Sequence, residues 1–151
     1  MIHGPGNKGN LNLLYAFVKK GIPFPLGAFN NSRSFLSVDN LSFIISEILK
    51  GNIDDGIYNL SDSGTLSINQ LVETIGKADN KNVRILKLPK PIINFIAKVG
   101  DIFTFLPLNS EKLQKLTENY IVDNSKLINN LNQELPTSIT NGIIKTINNF
   151  K

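Results

Sequence analysis

The apolar pattern of this sequence is mainly helical, and its strand-like segments are short and stand apart from one another. Apolar residues recur every three or four positions in seven segments, at 11–18, 41–49, 68–75, 92–99, 111–117, 124–131 and 139–150. Strand-like runs cover only 35–38, 57–60, 83–88 and 120–122. Because a few isolated short strands seldom form an independent sheet, we predict an α/β fold in which they add to a sheet whose main strands lie outside this chain.

Several helix boundaries can be located from their end residues. Ser67 followed by Gln70 is a capping box. Asp39 and Ser138 are predicted to cap the second and the last helix, and Gly51 is predicted to end the second one.

The 151 residues fit one domain, and the sequence contains neither a repeat of fixed period nor a long linker. The chain opens with His3-Gly4-Pro5-Gly6. Turn residues normally connect two elements, so we expect that a segment has been removed upstream of this turn.

Composition excludes several classes of site. The chain has no cysteine and one histidine, which excludes disulfides, a thiolate zinc site and a His-rich metal cluster. No run approaches the ~20 apolar residues of a membrane-spanning helix, and the first residues lack the features of a signal peptide. We therefore expect a cytoplasmic protein with no membrane partner. The net charge is +4 and the pI about 9.3. The basic residues are dispersed, which favours a small anionic ligand over a nucleic acid.

Six short motifs, taken in order, resemble the C-terminal third of the extended short-chain dehydrogenase/reductase family. They are Ile2-His3-Gly4-Pro5-Gly6; Gly9-Asn10-Leu11; Pro25-Leu26-Gly27; the box from Arg33 to Leu41; Tyr58-Asn59-Leu60; and Asp123-Asn124-Ser125-Lys126-Leu127 with the later Leu131, Pro136, Ser138, Gly142 and Thr146. Together these motifs span nearly the whole chain.

The resemblance implies that residues 1–151 are the C-terminal substrate-binding region of a nucleotide-sugar epimerase or reductase. The short strands would then complete an upstream Rossmann-type parallel sheet that is absent here. The Pro-Leu-Gly and Arg-Ser-Phe segments are most similar to those of enzymes that act on N-acetylated UDP-sugars in polysaccharide synthesis. The family's dinucleotide fingerprint and its catalytic Tyr and Lys lie upstream, so the parent would use NAD or NADP. This chain would hold no catalytic residue and bind no cofactor alone.

The family's substrate contacts can be carried over to particular positions. Arg33 would pair with the diphosphate, because a guanidinium offers a planar fork of donors. Asn10 and the backbone amide of Leu11 would support it at a helix N-terminus, although Asn10 is also a suitable N-cap. Lys112 or Lys115 would replace a basic residue that many relatives carry. Phe24 and Leu26, together with Phe29, line either a base slot or the core. His3 lies either near the sugar or nicotinamide or in a satisfied core position.

Other interpretations of the chain stay open. It is alternatively a non-catalytic binding or structural domain, or a basic nucleic-acid-binding domain. The apolar stretch from Ile92 to Leu106 resembles a membrane-surface helix, but its polar face is weakly basic, which favours core or partner contact. Helices made to pack on an absent sheet leave an apolar face exposed. We therefore expect self-association through this stretch and through Leu41, Ile45 and Ile48.

Overall fold

The computed structural model describes residues 1–103 and 108–150, and for Asn10 its backbone alone. These residues form seven helices and two short strands, in the order β1 (Ile2–His3), α1 (Asn10–Lys19), β2 (Leu36–Ser37), α2 (Val38–Leu49), α3 (Ile68–Ala78), α4 (Lys90–Ile102), α5 (Ser110–Thr117), α6 (Ser125–Leu131) and α7 (Ile139–Asn148). The predicted class is confirmed, since a helical lobe surrounds a minimal sheet.

The two strands form one parallel pair. Ile2 lies opposite Leu36, and His3 lies opposite Ser37. The pair is extended by the terminal ammonium group of Met1, which donates to the carbonyl of Ser34 at 3.1 Å. A parallel pair of two residues is too small to be stable alone, and here it packs against α2 and α7.

The other predicted strands do not form as strands in the described residues. Ile85 and Lys87 make isolated bridges with Phe24 and Leu26. Tyr120 makes a single bridge as well. The prediction of a strand at 57–60 was wrong: this segment has no strand partner, and the side chain of Ile57 is 89% exposed. Alternating apolar residues form a strand only where a neighbouring strand can accept their backbone hydrogen bonds.

Most predicted caps are confirmed, and two differ by a residue or two. Ser67 and Gln70 form the complete capping box of α3, and the Ser138 side chain caps α7. The cap of α2 is Ser37 and not Asp39, because Val38 is already helical. Asp39 therefore lies in the first turn, where its carboxylate pairs with Lys145 at 2.6 Å. At α1 the N-cap is Gly9, and Asn10 is the first helical residue.

The core has two parts. In the larger one α3 packs against both α1 and α7, and α4 and the 24–26 segment complete it. It includes the fully buried Leu11, Val72, Ile75, Ile143 and Ile147. A smaller cluster lies beneath α2 and α6, and it consists of Leu36, Ile44, Ile53, Leu127 and Leu131.

Two helices keep an apolar face exposed, as expected for helices that lack a partner. On α2 the side chains of Ile45 and Ile48 are about half exposed, whereas Leu41 packs against the smaller cluster. On α4 the exposed residues include Ile92, Phe95 and Ile102. The end of the predicted apolar stretch, 104–106, lies outside the described residues. None of the described helices has the length and apolarity needed to cross a membrane.

Candidate functional site

Arg33 lies on a connecting segment fixed by backbone hydrogen bonds on both sides. Its backbone N–H and C=O each pair with Leu66 at 3.0 Å, and the segment also bridges to Tyr120. The guanidinium, which is partly exposed, donates through Nη1 to the backbone carbonyl of Lys115. That carbonyl belongs to the last turn of α5, where the helix dipole favours a cation. Arg33 is therefore anchored at its backbone, and its side chain is partly exposed.

Asn31 holds the same segment between two helix ends. Its buried amide donates to the carbonyls of Leu116 and Glu118, at 3.0 and 3.2 Å, and accepts from the backbone N–H of Ile68 at 2.9 Å. One side chain thus satisfies the last carbonyls of α5 and the first amide of α3. The sequence analysis did not single out Asn31, whose two amide functions both require partners once it is buried.

The structure brings Arg33 together with Lys115, but the contact involves the backbone carbonyl of Lys115 and not its ammonium group. The ammonium group of Lys115 pairs with Glu111 at 2.5 Å, and this hydrogen bond raises the pKa of Lys115. Lys112 lies one turn earlier on α5 and is exposed. Glu111 and Glu118 lie in the same segment as the two lysines, so the charges at this edge of α5 are mixed.

Phe24, Leu26 and Leu11 are all buried in the larger core. Both backbone groups of Phe24 are also hydrogen-bonded within the fold, to Arg84 and Leu86 at 2.8 Å, so the structure places Phe24 and Leu26 in the core and not in a base slot. Phe29, in contrast, is partly exposed, and the ammonium group of Lys90 lies 5.5 Å from its ring centroid. Beside Phe29 a groove of about 290 Å³ runs between α4 and α5.

The N-terminus of α1 is free of side-chain caps and of acidic residues. Its N-cap, Gly9, provides no side-chain acceptor, and the first turn contains no Asp or Glu. The amides of a first turn have no partner within the helix. Those of Asn10 and Leu11 therefore suit an anion.

His3 lies in a buried polar cluster away from the solvent. Its Nδ1 is 2.9 Å from the Thr146 hydroxyl, and its Nε2 is 3.7 Å from the Asp62 carboxylate. Asp62 also accepts hydrogen bonds from the Ser37 backbone at 3.0 Å and from the Asn40 amide at 2.7 Å. This arrangement joins β1, β2, α2 and α7, and we call these five residues the His3 cluster.

The acidity of Asp62 reflects two opposed effects. Burial would raise the pKa of its carboxyl group, but the adjacent His3 ring and the hydrogen bonds from the Ser37 backbone and Asn40 outweigh this and hold the pKa below its ordinary value. The sequence analysis missed Asp62 because Ser61-Asp62-Ser63-Gly64 has the composition of an exposed turn.

The residues after β1 do not fit a dinucleotide. A Cβ on Gly4 would lie 2.6 Å from Cγ2 of Val38, so Gly4 makes room for the first residue of α2. In a dinucleotide fingerprint the corresponding glycines admit a pyrophosphate. Among the described residues no group of His, Cys, Asp and Glu could hold a metal ion either.

Comparisons with known proteins agree with the motif resemblance. No family-level sequence profile matches the chain. It is 29% identical over 152 aligned positions to a UDP-glucose 4-epimerase of Vibrio cholerae, covering 99% of this chain and 44% of that protein. It is 33% identical over 94 positions to an N-acetyl-α-D-glucosaminyl-diphospho-ditrans,octacis-undecaprenol 4-epimerase of Escherichia coli O157:H7, covering 61% of this chain and 28% of that protein.

Solved structures share the fold. The Bordetella bronchiseptica enzyme WbmG, crystallised in complex with NAD and UDP, superposes with a TM-score of 0.63 at 14% identity. The match covers 99% of this chain and 40% of that one. The chain thus spans less than half the length of the proteins it matches.

Proposed function

Because this chain is related to the NAD-dependent epimerase/dehydratases of the extended short-chain dehydrogenase/reductase family, and has the fold of their helical C-terminal lobe, we propose that it is the substrate-binding part of a larger nucleotide-sugar 4-epimerase or 4-keto-sugar reductase. Residues 1–151 form the lobe that binds the nucleoside diphosphate of the substrate, a UDP-sugar used in polysaccharide synthesis. The redox chemistry belongs to a dinucleotide-binding half with NAD, which the residues of this chain do not supply.

The anchored guanidinium of Arg33 is the observation that carries this proposal. An arginine that binds a diphosphate needs a fixed backbone, which reduces the entropy lost on binding, and N–H donors that the fold has not already used. Hydrogen bonds to Leu66 fix the Arg33 backbone, and the bond to the Lys115 carbonyl holds its side chain. The remaining N–H groups of the guanidinium are the donors for the diphosphate.

Two other features support the placement of the substrate. The uncapped first turn of α1 offers the backbone amides of Asn10 and Leu11 to phosphate oxygens. Phe29 borders the groove between α4 and α5, where an aromatic face suits a base.

The names of the two sequence relatives differ in the carrier, that is, in the group to which the sugar is joined through the diphosphate. The name of one specifies a nucleotide sugar and that of the other a sugar linked through diphosphate to undecaprenol. Arg33 would contact only the diphosphate, which both carriers share. We propose the nucleotide, because Phe29 and its groove offer a place for a base.

Titration of UDP into the chain, followed by calorimetry, tests this proposal. A hydrogen bond to a charged group contributes about 1.5–3 kcal/mol, so Arg33→Ala should weaken UDP binding roughly tenfold to a hundredfold. Arg33→Lys should restore little, because an ammonium group lacks the planar fork.

The matched control is Arg84→Ala. Arg84 is the other arginine of the chain and its side chain is exposed, so this variant removes the same charge elsewhere. It should bind UDP as the wild type does. Unchanged binding by Arg33→Ala would show that Arg33 is a surface residue without a ligand, and would favour a structural domain.

A further inference from the structure

The groove between α4 and α5 combines buried apolar residues with exposed polar ones. Ala97 and Leu113 line it and are buried, and Phe29 lies beside them. Its volume of about 290 Å³ is close to the lower end of the range of about 300–1,000 Å³ for small-molecule sites. It therefore suits a compact group such as a base rather than a whole nucleotide sugar.

The groove follows α5 toward Arg33. At its first end the two helices are joined, because the carboxylate of Asp101 on α4 accepts from the backbone and the hydroxyl of Ser110 on α5, at 2.8 and 2.6 Å. From Ser110 to Thr117, α5 spans about 10 Å, and both of these residues line the groove. The guanidinium of Arg33 bonds to the Lys115 carbonyl at the far end. A ligand whose diphosphate is held by Arg33 can therefore extend its base into the groove.

The hydroxyl groups that line the groove have already used their hydrogens. Ser110 donates to Asp101, and Thr117 donates to the backbone carbonyl of Leu113 at 2.8 Å. A hydroxyl group carries a single hydrogen, so both of these side chains can only accept a hydrogen bond from a ligand.

Three other side chains of the groove keep their donors. Asn94 and Lys98 line it from α4, and Gln114 lines it from α5. Within residues 1–103 and 108–150 none of the three side chains has a hydrogen-bond or ion-pair partner. Lys90, in contrast, lies over the ring of Phe29 and does not line the groove. The two amides can donate or accept, whereas the ammonium group of Lys98 can only donate.

This set of groups matches uracil better than cytosine. The edge of uracil presents a carbonyl oxygen on each side of an N–H group, whereas cytosine has an amino group in place of the O4 carbonyl. An ammonium group beside O4 forms a hydrogen bond, but beside the amino group it leaves two donors facing each other without a partner. The amides can turn either end toward the base, so the discrimination depends on Lys98.

We propose that the groove between α4 and α5 selects uracil, with Lys98 donating to the O4 carbonyl and the amides of Asn94 and Gln114 bonding to the rest of the base edge. This inference rests on the proposed function, because its ligand is the nucleotide whose diphosphate Arg33 holds. It adds the residue that determines which base is accepted.

Calorimetric titration with UDP and with CDP, which carry the same charge, tests the proposal. The wild-type chain should bind UDP about tenfold or more tightly than CDP. Lys98→Gln changes an exposed side chain and should bring the two affinities within about threefold of each other, because the new amide can also accept from the amino group of cytosine.

Lys87→Gln is the matched control, since it removes the same charge from an exposed lysine that precedes α4 and does not line the groove. It should keep the wild-type ratio of the two affinities. The double variant Asn94→Ala/Gln114→Ala should weaken UDP binding roughly tenfold. It should bind inorganic pyrophosphate as the wild type does, because pyrophosphate has no base to place in the groove.

Two results would overturn the selection of uracil and leave the proposed function standing. The first is a wild-type chain that binds UDP and CDP equally well. The second is an equal loss of affinity for both nucleotides in Lys98→Gln, which would show that Lys98 attracts the diphosphate and does not read the base. A wild-type chain that binds neither nucleotide would refute the proposed function, and this inference with it.

Discussion

The His3 cluster and the Arg33 segment are both polar, and both contain residues of the motifs that carry the family resemblance, yet their surroundings differ. In the His3 cluster Asp62 accepts hydrogen bonds on several sides, and every member is buried. On the Arg33 segment Asn31 is buried beneath, while Arg33 itself reaches the surface. A buried polar network makes a fold rigid and specific, whereas a supported segment that reaches the surface is suited to a ligand. The difference separates residues that hold this lobe together from those that serve its substrate.

Removal of the acceptor at the centre of the His3 cluster should have the largest effect. Asp62→Ala leaves the Ser37 amide, the Asn40 amide and His3 buried without their partner. Breaking a buried charged network by removing one member costs about 3–5 kcal/mol, a large part of the stability of a small domain. Urea unfolding followed by circular dichroism measures this loss. The exposed Asp55→Ala is the control and should unfold as the wild type does. A stability equal to that of the control would mean that the cluster does not support the fold.

A smaller loss is expected where the Arg33 segment is attached. Asn31→Ala removes three hydrogen bonds that join this segment to α3 and to the end of α5, of which only the bond from Ile68 is fully buried. Each unsatisfied buried group costs about 1–3 kcal/mol, and water can relieve part of this at the two less buried bonds. Its neighbour Asn30 is exposed, so Asn30→Ala is the control. Asn31→Ala should also weaken UDP binding, because Arg33 loses its support. If it destabilises the fold and leaves UDP affinity unchanged, Asn31 and the ligand site are independent.

A still smaller effect is expected in acid, where the His3 cluster should lose part of the stability that Asp62 contributes. The pKa of Asp62 lies below its ordinary value of 3.8 in the folded chain. A depressed folded pKa contributes stability above the ordinary value, and this contribution is lost as the pH falls through the folded pKa. Between about pH 5 and about pH 3 the free energy of unfolding should therefore decline more steeply for wild type than for Asp62→Asn. Parallel declines would indicate that Asp62 is not the group responsible.

The helices could be predicted from the sequence because local information determines them. Apolar spacing and the Ser67–Gln70 and Ser138 caps are properties of a few neighbouring residues, and all three are found in the structure. The strand predicted at 57–60 is absent, and the one predicted at 83–88 forms only isolated bridges. A strand depends on a distant partner, which the local pattern does not reveal. The cap of α2 moved from Asp39 to Ser37 for a related reason: Ser37 is held by Asp62, 25 residues away.

The resemblance named motif residues without indicating what each one does in the fold. Gly142 lies where a Cβ would be 3.0 Å from Ser37 and 3.1 Å from His3, so a small residue lets α7 approach the strand pair. Thr146, one turn later, bonds to His3 at 2.9 Å. These positions of the closing motif serve packing. Arg33, in contrast, is proposed to bind a ligand. That role rests on its anchored donors, which the sequence alone could not show.

The central claim is that this chain carries the substrate side of a nucleotide-sugar enzyme and not its cofactor side. Titration of the purified chain with UDP and, separately, with NAD under identical conditions tests it most directly. The account predicts saturable heat with UDP and none with NAD at about 1 mM, because Gly4, the first glycine after β1, is packed against Val38 of α2. Saturable NAD binding in the micromolar range, with no binding of UDP, would contradict it.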